Sequence, residues 1–215
     1  MPSLPTALFR VALATLLASA TGAQATITVH TSQASFLSAI AAAATDTFDA
    51  EFSDGPIFPY VGTAGPFGYS ADADFDGMFF VANGADVYLS TNTPQESITF
   101  YDFTGGVQAV GGLFFATDFN GVVVPGVSVS FSATDVDGSV THTLASSHAG
   151  SFIGFVSDGP LFTLQALAAP AGLANTFTTV NNLTLGVAAP VPEPGQWALM
   201  LGGLALIGGA LRRRA

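Results

Sequence analysis

The run Val127-Ser128-Val129-Ser130-Phe131-Ser132 permits few folds. Strict alternation sends the apolar side chains to one face of an extended chain and the hydroxyls to the other. A helix would scatter both sets around its axis. Leu183-Thr184-Leu185-Gly186-Val187 repeats the pattern. One buried and one wet face per strand is the signature of antiparallel sheets. The spacing predicts short strands over Met78–Val81, Asp86–Ser90, Ser97–Phe103, Val107–Thr117, Val122–Ala133, Ser139–Ala145, Phe152–Ser157, Leu161–Ala168, Thr176–Val180 and Leu183–Val187.

The turns agree. Asp-x-x-Gly recurs at Asp74–Gly77, Asp102–Gly105, Asp118–Gly121 and Asp135–Gly138, where glycine supplies the positive φ of tight connections. The unequal spacing excludes a repeat array. Ahead of this region, Thr26–His30 reads as a first strand. Ser32 caps a predicted helix over Gln33–Ala44, with Phe36, Leu37, Ile40 and Ala44 on one face. Ser53–Gly77 reads as an irregular connection with strand pieces near Phe58–Val61 and Phe67–Tyr69. The expected fold is mainly β: an antiparallel β-sandwich, jelly-roll-like, with one short N-terminal helix.

Charge narrows the function. All four basic residues, Arg10 and Arg212 to Arg214, lie near the chain ends. Between Thr26 and Pro190 there are 14 acids and no Lys or Arg. Such a body releases no counterions from a phosphate backbone, so nucleic acid is excluded as a partner. Cysteine is absent, which removes disulfides, a thiol nucleophile and zinc-thiolate sites.

The two ends read as targeting segments. Residues 1–25 have the parts of a secretory signal peptide: Arg10, an apolar run Val11–Ala20, and Ala23-Gln24-Ala25 as the cleavage site. The body spans 26–188. A Pro-rich linker, 189–196, contains Val191-Pro192-Glu193-Pro194. Residues 197–211 are apolar without a break, and 212–215 form a basic tail. Fifteen helical residues reach about 22 Å, short for a bilayer core. Trp197 at one interface and Arg212, Arg213 and Arg214 as a cytoplasmic stop still favour a transmembrane helix.

Val191-Pro192-Glu193-Pro194, the Gly-rich apolar helix and the terminal arginines together resemble the PEP-CTERM sorting tail. That resemblance implies an exported protein of a Gram-negative bacterium, handled by Sec machinery and signal peptidase and then by an exosortase acting near the Pro-Glu-Pro. The helix would be a transient inner-membrane anchor for a periplasmic body, destined for the cell surface or extracellular matrix. Gly111–Phe115 and Phe152–Phe155 resemble, weakly, the sandwich bodies of such proteins.

Within the body, Asp72-Ala73-Asp74-Phe75-Asp76-Gly77 matches the first half of an EF-hand-type calcium loop. Alternate carboxylates project to one side, and the glycine allows the sharp turn. The bidentate acid at the twelfth position is replaced by Asn83, with Asp86 as the nearest substitute. Asp72, Asp74 and Asp76 are candidate Ca2+ ligands, against the alternative of a surface turn. His30, His142 and His148 are far apart in sequence, and no catalytic constellation is evident. The expectation is a non-enzymatic surface or matrix protein, with a carbohydrate-binding module for exopolysaccharide as the alternative and a secreted hydrolase behind both.

Overall fold

The computed structural model describes residues 26–84, 86–169, 175–190 and 203–204. Ala25–Ala189 form one compact unit. The remaining unit, Met1–Gln24 with Pro190–Ala215, is described only at Pro190 and at Gly203–Leu204, which are helical. The signal cleavage residues Ala23 and Ala25, the motif Val191 to Pro194 and the arginines 212–214 lie outside the described residues. So does the apolar stretch 197–211, apart from 203–204. Among the described residues no helix is long and apolar enough to cross a membrane.

The alternation of residues 127–132 does form a half-buried strand. In chain order the strands are β1 Ile27–His30, β2 Ile40–Asp46, β3 Tyr60–Ala64, β4 Phe67–Ala73, β5 Met78–Asn83, β6 Asp86–Thr91 and β7 Ser97–Thr104. They continue with β8 Ala109–Thr117, β9 Val127–Asp135, β10 Ser139–Ser147, β11 Phe152–Ser157, β12 Leu161–Ala168 and β13 Phe177–Ala188. Two antiparallel sheets result. The first runs β1-β11-β8-β13-β6-β5, and β2 also pairs with β13. The second runs β10-β9-β12-β7-β4-β3. Their inner faces meet in one core that includes Phe100, Phe131 and Leu164 from the second sheet and Leu89, Phe114, Phe155 and Val180 from the first. Truncating a fully buried phenylalanine such as Phe114 to alanine costs about 3–5 kcal/mol in a core of this kind.

Two elements differ from the sequence reading. The helix α1 covers only Gln33–Ser38 and does not extend to Ala44. Ser32 caps it as expected, its Oγ accepting from the Ser35 amide at 3.3 Å. Ile40–Asp46 instead becomes β2, an alanine-rich strand paired with residues 183–188 of β13. Alanine favours helix locally, but one side of β13 would otherwise present unpaired amides and carbonyls. Second, residues 176–180 and 183–187 are not separate strands. They are one strand, β13, with a bulge between Asn181 and Thr184 and Asn182 at φ 52°. The extra residue lets Val180 and Leu183 both bury.

Smaller shifts follow the same logic. β9 begins at Val127 and not at Val122, because Val122–Gly126 belong to a loop that folds back on β8; the Val124 amide donates to the Ala116 carbonyl. Gly77, Gly105, Gly121 and Gly138 all have positive φ; three of the Asp-x-x-Gly runs close turns, whereas Asp102 to Thr104 belong to β7 and Gly105 lies just past its end. At Gly77 a side chain is also excluded by space, since a Cβ would lie 2.6 Å from the Ile57 carbonyl oxygen.

Candidate functional site

One end of the sandwich gathers most of the polar chemistry. Here β4 gives way to the turn 74–77, β6 to the loop 92–96, and β13 begins. Hydrogen bonds knit these segments together. Asn92 donates from its amide to the Gly77 carbonyl and from Nδ2 to the Asp76 carbonyl at 3.0 Å. Thr93 Oγ1 donates to Asp76 Oδ2 at 2.8 Å. Ser97 donates from both its amide and its hydroxyl to Asp74 Oδ2, at 3.3 and 2.7 Å. The Gln95 amide reaches the Thr176 carbonyl.

The inward side-chain rows of three strands turn polar at this end. On β6 the inward Leu89 is followed by Thr91. On the approach to β7, Glu96 precedes the inward Ile98. On β13 the inward Val180 is preceded by Thr178 and Thr176. All four polar residues are buried. Thr178 is satisfied: its Oγ1 donates to the Glu96 carbonyl at 2.6 Å and accepts from the Ala168 amide at 2.9 Å. Thr91 Oγ1, Thr176 Oγ1 and both carboxylate oxygens of Glu96 have no hydrogen-bond partner among the described residues. Glu96 is only 5% exposed. Burial raises its pKa above the ordinary glutamate value, and the charges of Asp76 and then Asp74 raise it further, against a small opposing effect of the Asp76 amide. An isolated buried carboxylate is costly unless paired, and orphaned buried oxygens in a native fold point to water or an ion.

The sequence reading placed Asp72, Asp74 and Asp76 in one calcium loop; in the structure Asp72 belongs to β4 and Asp74 and Asp76 to the turn that follows it. Asp72 lies on β4 opposite Thr99. The Tyr101 pKa is raised by burial and then by the charges of Asp72 and Asp102. Asp74 and Asp76 face Glu96 instead. β4 is still extended at Asp72 and the turn starts only at Asp74. Asp86 stands at the opposite end of β6 from Thr91 and cannot join them. As the side chains stand, no three acidic or imidazole groups among the described residues are gathered closely enough to hold a metal. The histidines are dispersed: His30 Nδ1 pairs with Ser35 Oγ at 2.8 Å, His142 lies on β10, and His148 Nδ1 accepts from the Gly150 amide. Sequence reasoning missed Glu96. The available signal was a glutamate in phase with Ile98 and Phe100 on a buried face.

Around the corner, on the outer side of the first sheet, an open cleft of about 480 Å³ runs between β5 and the loop after β8. Phe79, Phe119 and Phe177 supply aromatic walls, and Ser90, Asn92 and Asp118 supply polar atoms. Phe119 stacks obliquely on Phe177 with ring centroids 6.4 Å apart yet stays 84% exposed. Asp118 Oδ1 accepts from the Asn120 and Val122 amides, which fixes the loop carrying Phe119. The floor is a hydroxyl chain: Thr117 to Thr179 at 2.8 Å and Thr179 to Ser90 at 2.9 Å.

Fold and site define a two-sheet antiparallel β-sandwich with an acidic, under-bonded mouth and an open aromatic cleft beside it. Beyond this body, residues 190–214 match the PEP-CTERM protein-sorting motif, which implies an exported protein processed by an exosortase. No curated protein matches the chain. Two solved structures are similar. One is a mutant of a family 29 carbohydrate binding module, at 11% identity and TM-score 0.35, covering 72% of this chain and 99% of that one. The other is TmCBM61 in complex with beta-1,4-galactotriose, at 13% identity and TM-score 0.28, covering 54% and 86%.

Proposed function

We propose that this chain is an exported, non-enzymatic surface or matrix protein, released from a transient membrane anchor by exosortase action near Pro192–Pro194. The carrying observation is the sorting motif over residues 190–214, placed directly after the last strand of the body ends at Ala188. Processing there would remove Arg212, Arg213 and Arg214 and leave the released body with no Lys or Arg. The test follows the chain by intact mass in cells with and without exosortase. Loss of the tail only in the former is expected. A chain that keeps its arginines in both would overturn the proposal.

A carbohydrate-binding reading of the body is favoured by the cleft at Phe119. Aromatic faces beside amide, hydroxyl and carboxylate groups suit a sugar ring, which presents both C–H patches and hydroxyls. Affinity electrophoresis of the full chain in gels containing the cell's own exopolysaccharide tests this. Phe119→Ala is expected to abolish retardation without changing stability, because the ring is exposed. Equal retardation of both chains would remove the cleft from consideration.

A further inference from the structure

Strand β10 ends the second sheet and, among the described residues, pairs only with β9. It runs nine residues, against four in β1, five in β3, six in β5 and seven in β2, the other strands with a free side. Two of those others are held on that side. β5 is bridged by Ile57, and β2 ends at Asp46, whose Oδ2 accepts from the Tyr60 and Tyr69 hydroxyls. Ser139–Ser147 contains no Lys, Asp, Glu or Pro, the residues that commonly protect an edge from pairing. Its register with β9 is unbroken from Ser139 to Leu144. The inward row is also unfinished here. Val129, Phe131 and Ala133 of β9 are buried, while their β10 partners Leu144, His142 and Val140 are only half-buried.

We infer that two copies of this chain pair through β10, antiparallel and centred on His142. The strand is self-complementary: Ser139-Val140-Thr141-His142-Thr143-Leu144-Ala145 mirrors itself in character about the histidine. Val140 would stand opposite Leu144 of the partner subunit, Thr141 opposite the partner's Thr143, and the two imidazoles would meet on the axis. A two-fold contact needs such a match of a surface with itself, and a foreign strand does not. An axis perpendicular to the sheet keeps both inward rows on one side, so the half-buried Val140, His142 and Leu144 gain cover. The threonines pair on the outer side, where facing hydroxyls stabilise adjacent strands. Charge selects this edge as well. With 14 acids and no Lys or Arg between Thr26 and Pro190, two copies repel over most approaches, whereas β10 is neutral. The acid closest to it in sequence, Asp137, lies five residues from the axis. The two copies of Asp137 would therefore sit ~34 Å apart at ~3.4 Å per residue, several Debye lengths at physiological salt. So short a contact buries little area, so the dimer is weak and forms where the chain is concentrated.

Sedimentation of the full chain in detergent, over a wide range of concentrations, tests the inference. A reversible monomer–dimer equilibrium is expected. His142→Asp sets two carboxylates opposite each other on the axis and should weaken the dimer about tenfold. Thr143→Asp, on the exposed outer row, is the second variant should His142→Asp not fold, and should weaken it severalfold. Thr63→Asp adds the same charge at an exposed position of β3, the far edge of the same sheet, and should leave dimerisation unchanged. His142→Cys, in a chain with no other cysteine, should join two copies through a short bis-maleimide, and Thr63→Cys should not. A wild-type chain that stays monomeric at every concentration overturns the inference. So does a dimer undiminished in both His142→Asp and Thr143→Asp, since the copies would then meet elsewhere, the apolar tail included.

Discussion

Asp135 and Glu96 are buried to the same degree, each 5% exposed, yet they are driven in opposite directions. Asp135 closes the β9–β10 hairpin. Its Oδ2 accepts from Ser157 Oγ at 2.6 Å, and its Oδ1 accepts from the amides of Asp137 and Gly138 at 2.8 and 3.1 Å. Burial alone would raise its pKa, but these three donors hold it below the ordinary aspartate value. Glu96 has the burial with only a small opposing effect of the Asp76 amide, and burial together with the charges of Asp76 and Asp74 sends its pKa up. Burial alone therefore does not set the pKa of a carboxylate; aimed donors and neighbouring charges decide its direction. One end of this protein surrounds its buried acid with donors, and the other sets its buried acid beside two like charges.

The largest test removes the satisfied acid. Asp135→Ala leaves the Ser157 hydroxyl and two amides facing an empty space and should cost about 2–4 kcal/mol in urea denaturation. A cost below about 0.5 kcal/mol would mean that the donors are met equally well by water. Its pH dependence carries a sign. The folded pKa of Asp135 is depressed, so its stabilisation is present above the unfolded value near 3.8 and is lost as pH falls through the lower folded value. The gap between wild type and Asp135→Asn should thus narrow on acidification below pH 3.8, and a gap that widens would contradict the donor account. Next in size, Ser157→Ala deletes one donor to Asp135 and an acceptor for the Gly159 amide, for about 1–2 kcal/mol. The smallest effect has the opposite sign. At neutral pH, Glu96→Gln should raise stability by about 1 kcal/mol, since it removes a buried charge from beside Asp74 and Asp76. Loss of stability at that pH would show that the Asp76 amide outweighs the repulsion from the two aspartates, and the contrast between the two ends would fail.

Much of the fold was legible beforehand. Alternation at Val127–Ser132 identified a sheet strand, and three of the four Asp-x-x-Gly runs marked real turns, because both signals are local and carry their geometry in a few residues; Asp102 to Thr104 instead end strand β7. The helix and the last strand were misread for non-local reasons. Ile40–Asp46 prefers helix on its own and becomes a strand only because β13, about 140 residues away in sequence, leaves a side to be paired. Asn181-Asn182 looks like a break between strands, and only the register against β8 shows it to be a bulge. Sites followed the same division. Asp135–Gly138 was readable as a turn, whereas the Ser157 hydroxyl that completes it comes from β11.

The sequence by itself determined the class and the route: short alternating strands make sheets, the absence of Lys and Arg makes an acidic body, and the terminal motif marks an exported, sorted chain. These are properties of composition and of neighbouring residues, and they need no partner from elsewhere in the chain. Tertiary structure alone decided which carboxylates share a neighbourhood. It set Glu96 beside Asp74 and Asp76, because which acids meet depends on which strands pair and which rows face inward. It also decided which of two equally buried acids finds donors, since donors come from loops and strands that only the assembled sandwich brings together.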